Sequence, residues 1–154
     1  MLTFDSPVFA AYALAASAMV LLAVATAWIT VIQMMRHKAG YRAPEDAKKT
    51  PLNPVPAEGQ VGAFEPVERY RRIMANHLEN IPFFLVVGLL FVLTGPGLVL
   101  AQWLFYGYAI SRIFHFLAYA TGQIHDIRAT FWTIGSVIIV AMAVIVLMTA
   151  LSSI

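Results

Sequence analysis

One group of polar residues recurs at helical spacing in a stretch of the chain that turns apolar. Arg72, Asn76 and Glu79 follow i, i+4, i+7 spacing, which places them on one face of a helix. Arg69 precedes Arg72 by three residues and extends the same face. These groups suit either hydrogen bonds and ion pairs that join helices or the binding of a charged ligand. Arg69 also suits an interfacial position, where its guanidinium reaches the lipid headgroups.

A second group follows the same rule further along the chain. Arg112, His115 and Tyr119 follow i, i+3, i+7 spacing, and Arg128 lies at the start of the next apolar stretch. A charge at the centre of a bilayer costs about 2.5–3.5 kcal/mol, so such residues usually face a bundle interior or a wet cavity. Arg112 suits a structural pair with Glu79 as well as a ligand role. His115 also suits helix packing, and Tyr119 suits an interfacial anchor.

These residue types match a small ligand with several charges. Arg side chains bind carboxylates through two parallel hydrogen bonds, a Glu carboxylate binds an ammonium group, and an Asn side chain binds an amide. Glutathione offers two carboxylates, one ammonium group and two amides. A metal site is not expected, because the chain has no Cys and His115 lacks a second ligand at helical spacing. A Ser-His-Asp hydrolase is not expected either, because Ser111 and His115 have no evident acid partner.

The composition indicates a membrane protein. Of the 154 residues, 60% are hydrophobic and 12% are charged, against about 45–50% and about 25% in ordinary soluble domains. This balance also excludes a disordered chain, which needs low hydrophobicity and high charge. The net charge of +2 is too small to indicate a nucleic-acid partner. We therefore expect an all-α integral membrane four-helix bundle that forms a single domain.

The apolar stretches predict four membrane-spanning helices, because a span needs about 20 residues. The first is not expected to be a cleaved signal peptide, since no basic residue precedes Arg36. Asp126 is the expected N-cap of the fourth span. The predicted spans are residues 8–35, 68–94, 98–120 and 127–151, with one long loop over residues 36–66.

The distribution of basic residues predicts the topology. Eight of the ten Lys and Arg residues lie between Arg36 and Arg72, and the turn at residues 94–97 has none. The positive-inside rule therefore places the first loop in the cytoplasm, together with the connection between the third and fourth spans. Five prolines between residues 36 and 66 argue against a long helix there and favour an ordered or semi-ordered polar loop.

The segment from Val67 to Phe83 resembles the signature of the MAPEG proteins, the membrane-associated proteins in eicosanoid and glutathione metabolism. It contains the pattern E-R-x-x-R-x-x-x-N-x-x-E followed by Pro-Phe, with one spacing difference at the proline. The run Pro44-Glu45-Asp46-Ala47 in the first loop is also similar to the family. Arg112, His115, Tyr119 and Arg128 resemble the pattern of the branch with microsomal glutathione transferases and prostaglandin E synthases.

This resemblance implies a homotrimer of four-helix protomers, with glutathione bound between neighbouring subunits near the cytoplasmic face of a bacterial inner membrane or the endoplasmic reticulum. Arg112 would lie beneath the site, Glu68 and Arg69 would support it or cap a helix, and Arg128 would stabilise the glutathione thiolate with help from a hydrogen bond donated by Tyr119. The residues expected to contact glutathione are Arg72, Asn76, Glu79, His115, Tyr119 and Arg128.

Two residues depart from the pattern of the prostaglandin-synthase-like relatives. Ala75 stands where they have a further Arg, and Ala129 stands where they have Ser after the last Arg. These changes favour a general transferase, with a glutathione-dependent peroxidase activity beside it, over a specialised prostaglandin isomerase. The alternative is a non-catalytic lipid-binding or partner-presenting member of the same fold. A small transporter is less favoured, because the spans show no acidic relay and no broken helix.

Overall fold

The structure, a computed structural model, describes residues 2–154 and consists of four long α-helices joined by one long and two short connections. The helices are α1 (Pro7–His37), α2 (Glu65–Leu93), α3 (Leu98–Ala120) and α4 (His125–Ser152), and a short 3-10 helix covers Pro44–Ala47. Apart from two isolated bridges in the first loop, residues 2–154 contain no β-structure. The expected all-α class is confirmed.

Two helix ends differ from the sequence prediction. Helix α4 begins at His125, and Ile124 occupies the N-cap position without a side-chain hydrogen bond. The prediction that Asp126 is the N-cap is therefore wrong. Asp126 lies in the first turn instead, where the positive end of the helix dipole stabilises its carboxylate. Helix α2 begins at Glu65, which places Glu68 inside the helix rather than at its cap.

Three helices are long and apolar enough to cross a membrane, by length and composition, among residues 2–154. They are α1, α2 and α4, whose most apolar windows have mean hydropathies of 2.3, 1.6 and 2.8. Helix α3 is not among them, because Gln102, Arg112 and His115 lower its apolarity. Its 23 residues would span roughly 34 Å at about 1.5 Å each, so a fourth crossing stays a prediction on length alone.

The chain divides into two compact units. The first contains the residues up to Leu22 together with His77–Ile154. Its core is a cluster of aromatic rings from α1, α2 and α3. The Tyr12 ring meets the Phe105 ring edge to face at 5.5 Å, and Phe84 stacks on Tyr108 with 4.1 Å between ring centroids. These four rings are buried, so aromatic packing holds the helices of this unit together.

The second unit, Ala23–Asn76, contains the first loop and the helix ends beside it. The loop is ordered by polar contacts rather than by an apolar core. The side chains of Asn53 and Gln60 are buried and exchange two hydrogen bonds of 2.9 and 3.2 Å. The Tyr41 N–H donates to the Gln60 carbonyl, and the Gly62 N–H donates to the Tyr41 carbonyl. Four of the five prolines lie in this loop and are compatible with its ordered structure, while Pro66 lies in the first turn of α2.

We expect the substitution Gly88→Ala to destabilise the first unit. A Cβ at Gly88 would lie 2.9 Å from the Tyr12 ring, and that ring is held by a 2.7 Å hydrogen bond from its hydroxyl to the Leu85 carbonyl. Overpacking of this kind costs about 1–3 kcal/mol, which outweighs the gain of about 1 kcal/mol from replacing a helical Gly with Ala. The measurement is the thermal midpoint of the purified protein in detergent.

Gly107→Ala is the matched control. The atom nearest to a Cβ at Gly107 is the terminal Cδ1 of Ile138, at 3.3 Å, which moves easily. This variant should match the wild type or exceed it. A Gly88→Ala midpoint equal to that of Gly107→Ala would contradict the packing argument.

Candidate functional site

A buried guanidinium occupies the polar centre of the first unit. Arg112 on α3 is 0% exposed, His77 on α2 is 0% exposed, and His115 on α3 is 3% exposed. The Nη2 atom of Arg112 lies 3.5 Å from Nδ1 of His77 and 3.5 Å from Nδ1 of His115. A buried charge of this kind is tolerated only with polar partners, and these two imidazole rings contribute them.

The contacts continue from His115 towards the start of α4. The His115 ring meets the Tyr119 ring edge to face, with 5.9 Å between centroids. The guanidinium carbon of Arg128 lies 4.3 Å from the centre of the Tyr119 ring, which is a cation–π contact. The structure thus brings together four of the residues named in the sequence analysis: Arg112, His115, Tyr119 and Arg128.

Arg128 has a guanidinium that is suited to bind an anion. It lies in the first turn of α4, where the helix dipole adds to its positive charge. Its Nε–H is buried and has no hydrogen-bond partner among residues 2–154, and no ion pair in this range includes Arg128. The Tyr119 ring contacts the Arg128 guanidinium and orients it without neutralising its charge.

The predicted pairing of Arg112 with Glu79 is not formed. Arg112 contacts the two histidine rings, whereas Glu79 is exposed and belongs to no ion pair among the described residues 2–154. Glu79 lies two residues beyond His77 on α2, so the two side chains leave the helix on different faces. The carboxylate of Glu79 is therefore available to a ligand or to another subunit.

In the second unit, Arg71 connects the start of α2 to the first loop. Its guanidinium pairs with Glu68 one turn earlier and donates a 2.7 Å hydrogen bond to the carbonyl of Gly40. Glu68 also accepts a 2.8 Å hydrogen bond from Arg42 in the loop. Gly40 has φ of +81°, and a Cβ there would lie 2.9 Å from Val67. Glu68 is thus a structural acceptor that fixes the loop.

Arg69 and Arg72 share one acidic partner. Arg72 Nη2 lies 2.6 Å from Glu65 Oε1, and Arg69 Nη2 lies 3.8 Å from the same oxygen. The Arg72 and Glu65 side chains are both exposed, so this ion pair contributes little to stability. Asn76 is half-buried one turn further along α2.

The second unit also has a largely apolar pocket of about 560 Å³. Its walls come from the last turns of α1 and from the first loop, and two carboxylates, those of Glu45 and Asp46, are at its lining. A pocket of this size and character suits an uncharged organic molecule. The remaining lining residues are Val31, Met34, Met35, Tyr41, Thr50, Pro51, Leu52 and Asn53.

Two further observations bear on the predicted chemistry. Among residues 2–154, no group of three or more His, Asp or Glu side chains is placed to hold a metal ion. His77 was not among the residues predicted for the site. His77 and Arg112 are 35 residues apart in the sequence and lie on different helices. Their contact could not be predicted from helical spacing, which identifies only neighbours on the same helix.

Comparison with known proteins gives a family match over most of the chain. A family model described as the MAPEG family matches residues 12–148. The chain is 37% identical to microsomal glutathione S-transferase 1 of Mus musculus over 105 residues, which is 68% of this chain and 61% of that protein.

Two further relatives match over a shorter region. The chain is 43% identical to microsomal glutathione S-transferase 1 of Bos taurus over 77 residues, 50% of each chain. It is 40% identical to the Rattus norvegicus protein of the same name over 79 residues, 51% of each chain. The chain thus spans between 50% and 61% of the length of these curated relatives.

We expect Arg71→Lys to loosen the first loop without unfolding the protein. A lysine ammonium cannot reproduce the fork that holds both Glu68 and the Gly40 carbonyl. Tryptic cleavage after Lys48 and Lys49 under native conditions should become roughly tenfold faster, since a hydrogen bond with a charged partner contributes about 1.5–3 kcal/mol and this one is partly exposed. The number of tryptic sites stays the same.

Arg69→Lys is the matched control for this experiment. It alters a half-buried arginine whose 3.8 Å ion pair with Glu65 is long, so its cleavage rate should equal that of the wild type. Equal rates in both variants would show that the Arg71 contacts do not hold the loop.

Proposed function

Since the chain belongs to the MAPEG family, we propose that it is a membrane-bound glutathione transferase. In this proposal it binds glutathione, stabilises the thiolate and directs it at apolar electrophiles. The same thiolate supports the reduction of lipid hydroperoxides as a second activity. The names of the relatives support the transferase activity.

The observation that carries this proposal is the arrangement of Arg128. Its guanidinium lies over the Tyr119 ring at the start of α4, and its buried Nε–H lacks a partner among residues 2–154. A free thiol has a pKa of about 8.5, and lowering it to about 6.5 takes roughly 2.7 kcal/mol of preferential stabilisation of the thiolate. The Arg128 charge and the positive end of α4 are sources of this stabilisation. Tyr119 assists by donating a hydrogen bond to the sulfur.

The proposed contacts with glutathione use the charges described above. Arg72 binds a glutathione carboxylate by exchanging its exposed ion pair with Glu65 for the ligand. The unpaired carboxylate of Glu79 receives the ammonium group, and the Asn76 side chain binds an amide. Because we propose a homotrimer with glutathione between neighbouring subunits, these contacts are divided among chains.

The other predicted residues have supporting roles. Arg112, which is fully buried, lies beneath the site, and His115 contacts glutathione. Glu68 and Arg69 act on the structure of α2 and the first loop rather than on the ligand. Ala75 and Ala129 supply neither the additional cation nor the hydroxyl of the prostaglandin-synthase-like relatives, which favours a general transferase.

The second substrate is proposed to be an apolar electrophile that enters from the bilayer. The apolar pocket in the second unit supports this assignment, since its α1 wall belongs to a helix apolar enough to lie in a membrane. The first loop and the connection between α3 and α4 are placed in the cytoplasm, on the side of the basic residues.

The test is a titration of the detergent-purified protein with glutathione at neutral pH, followed by the ultraviolet absorbance of the thiolate. We expect a saturable thiolate signal. Arg128→Gln should reduce the ratio of thiolate to thiol at saturation by roughly tenfold or more, because a removal of about 1.4 kcal/mol corresponds to a factor of ten in an equilibrium ratio. Lys49→Gln is the control, since it removes one exposed cation of the first loop and should leave the signal unchanged.

Tyr119→Phe separates the two roles of Tyr119. The Phe ring keeps the contact that orients Arg128 but cannot donate a hydrogen bond, so the thiolate signal should fall less than in Arg128→Gln. An unchanged thiolate signal in Arg128→Gln would overturn the assignment of Arg128. Glutathione binding without any thiolate would favour the non-catalytic alternative, and no binding would refute the glutathione function.

The trimer is tested by the mass of the protein in detergent. We expect a mass of three chains of 16.9 kDa after subtraction of the detergent. The exposure of Glu79 on an apolar helix supports an assembly, because a carboxylate facing lipid is costly. A monomer that still binds glutathione would contradict a site between subunits.

A further inference from the structure

Two histidine rings meet one nitrogen of the buried guanidinium in the first unit. Nη2 of Arg112 carries two hydrogens, and it lies 3.5 Å from Nδ1 of His77 on α2 and 3.5 Å from Nδ1 of His115 on α3. We propose that His77 is a positioning residue: together with His115 it holds the Arg112 guanidinium, and this arrangement fixes His115 as a neutral hydrogen-bond donor in the glutathione site.

The proton positions follow from the chemistry of arginine. A guanidinium nitrogen donates hydrogen bonds and never accepts them. An Nδ1 atom that faces Arg112 Nη2 must therefore present a lone pair, in His77 and in His115 alike. Each neutral ring then carries its single proton on Nε2. A second proton on Nδ1 would point at the guanidinium hydrogens, so the contact excludes the imidazolium form as well.

This assignment decides what His115 can do. With Nδ1 occupied by Arg112 and Nε2 already protonated, the ring has no free lone pair. It can donate a hydrogen bond through Nε2, and it cannot remove the proton from the glutathione thiol. The His115 ring also meets the edge of Tyr119, whose face lies under Arg128. The orientation of His115 is thereby linked to the residues proposed to stabilise the thiolate.

His77 reaches the site only through Arg112. Its ring is fully buried and stacks on Phe116, with centroids 6.3 Å apart and planes inclined by 19°. Aromatic packing therefore fixes the plane of the ring while Nδ1 faces the guanidinium. When His77 is replaced by an apolar residue, one Nη2 hydrogen loses its acceptor, and we expect the guanidinium to rotate towards a different hydrogen-bond acceptor. His115 is then no longer confined to one tautomer.

The first measurement is the ¹⁵N spectrum of the ring nitrogens in full-length protein labelled at histidine, without glutathione. The chain has four histidines, and the exposed His37 and His125 serve as internal references. We expect His77 and His115 to show a proton on Nε2 and none on Nδ1 at neutral pH. A proton on Nδ1 of either ring would overturn the proposal.

The second measurement compares three variants. In His77→Leu, the His115 signal should split between both tautomers, and the Kd for glutathione should rise about fivefold, the equivalent of one net hydrogen bond. His77→Asn keeps an acceptor near the Nδ1 position and should preserve the His115 signal, with a Kd within about twofold of the wild type. His37→Leu makes the same chemical change at an exposed site and should change neither.

Unchanged His115 signals and an unchanged Kd in His77→Leu would overturn the positioning role. If His77→Leu does not fold, the wild-type spectrum still tests the tautomers, and a loss of the single His115 tautomer in folded His77→Asn would count against the proposal. The role in glutathione binding rests on the proposed function, but the spectra do not. A wild-type protein with the expected spectrum and no affinity for glutathione would refute the function and leave the tautomer assignment intact.

Discussion

The packing of the first unit depends on how it accommodates one buried cation, Arg112. The Arg112 guanidinium is fully buried, and an isolated charge in such a place would be very costly. The two imidazole rings beside it are the kind of neutral acceptor that keeps the charge rather than cancelling it. A carboxylate in their place would form an ion pair and remove the positive potential from this region. Retaining that potential is consistent with the proposed transferase activity, which requires the stabilisation of a negatively charged sulfur.

In the second unit, the arginines described above form ion pairs with carboxylates. Arg42 and Arg71 both pair with Glu68 at the start of α2, and these ion pairs tie the first loop to that helix. Arg72 and Glu65 form a more exposed pair. The chain thus uses arginine in two ways: in ion pairs that order the first loop, and, at Arg128, as a cation that forms no ion pair among residues 2–154.

Much of the helical arrangement could be predicted, because apolar runs and polar stripes are properties of local sequence. The turn at residues 94–97, the approach of Arg128 to Tyr119 across a short connection and the all-α class all follow from patterns within a few residues. Contacts between distant segments could not be predicted in this way. The absence of an Arg112–Glu79 pair and the presence of His77 beside Arg112 depend on helix rotation, which spacing does not determine. Helix ends are similarly uncertain by one or two residues, which is why the cap expected at Asp126 lies at Ile124.

The modest apolarity of α3 has a consequence for biogenesis. Helices α1, α2 and α4 are long and apolar enough to cross a bilayer, whereas α3 contains Arg112, His115 and Gln102. The four-residue turn before α3 ties it closely to α2, which carries the His77 acceptor for the guanidinium. We therefore expect α2 and α3 to enter the membrane as a hairpin, so that Arg112 leaves water only when an acceptor is already beside it. Because α2 is synthesised before α3, the His77 acceptor is already present when Arg112 reaches the bilayer. The reverse order would leave the Arg112 charge at the bilayer surface.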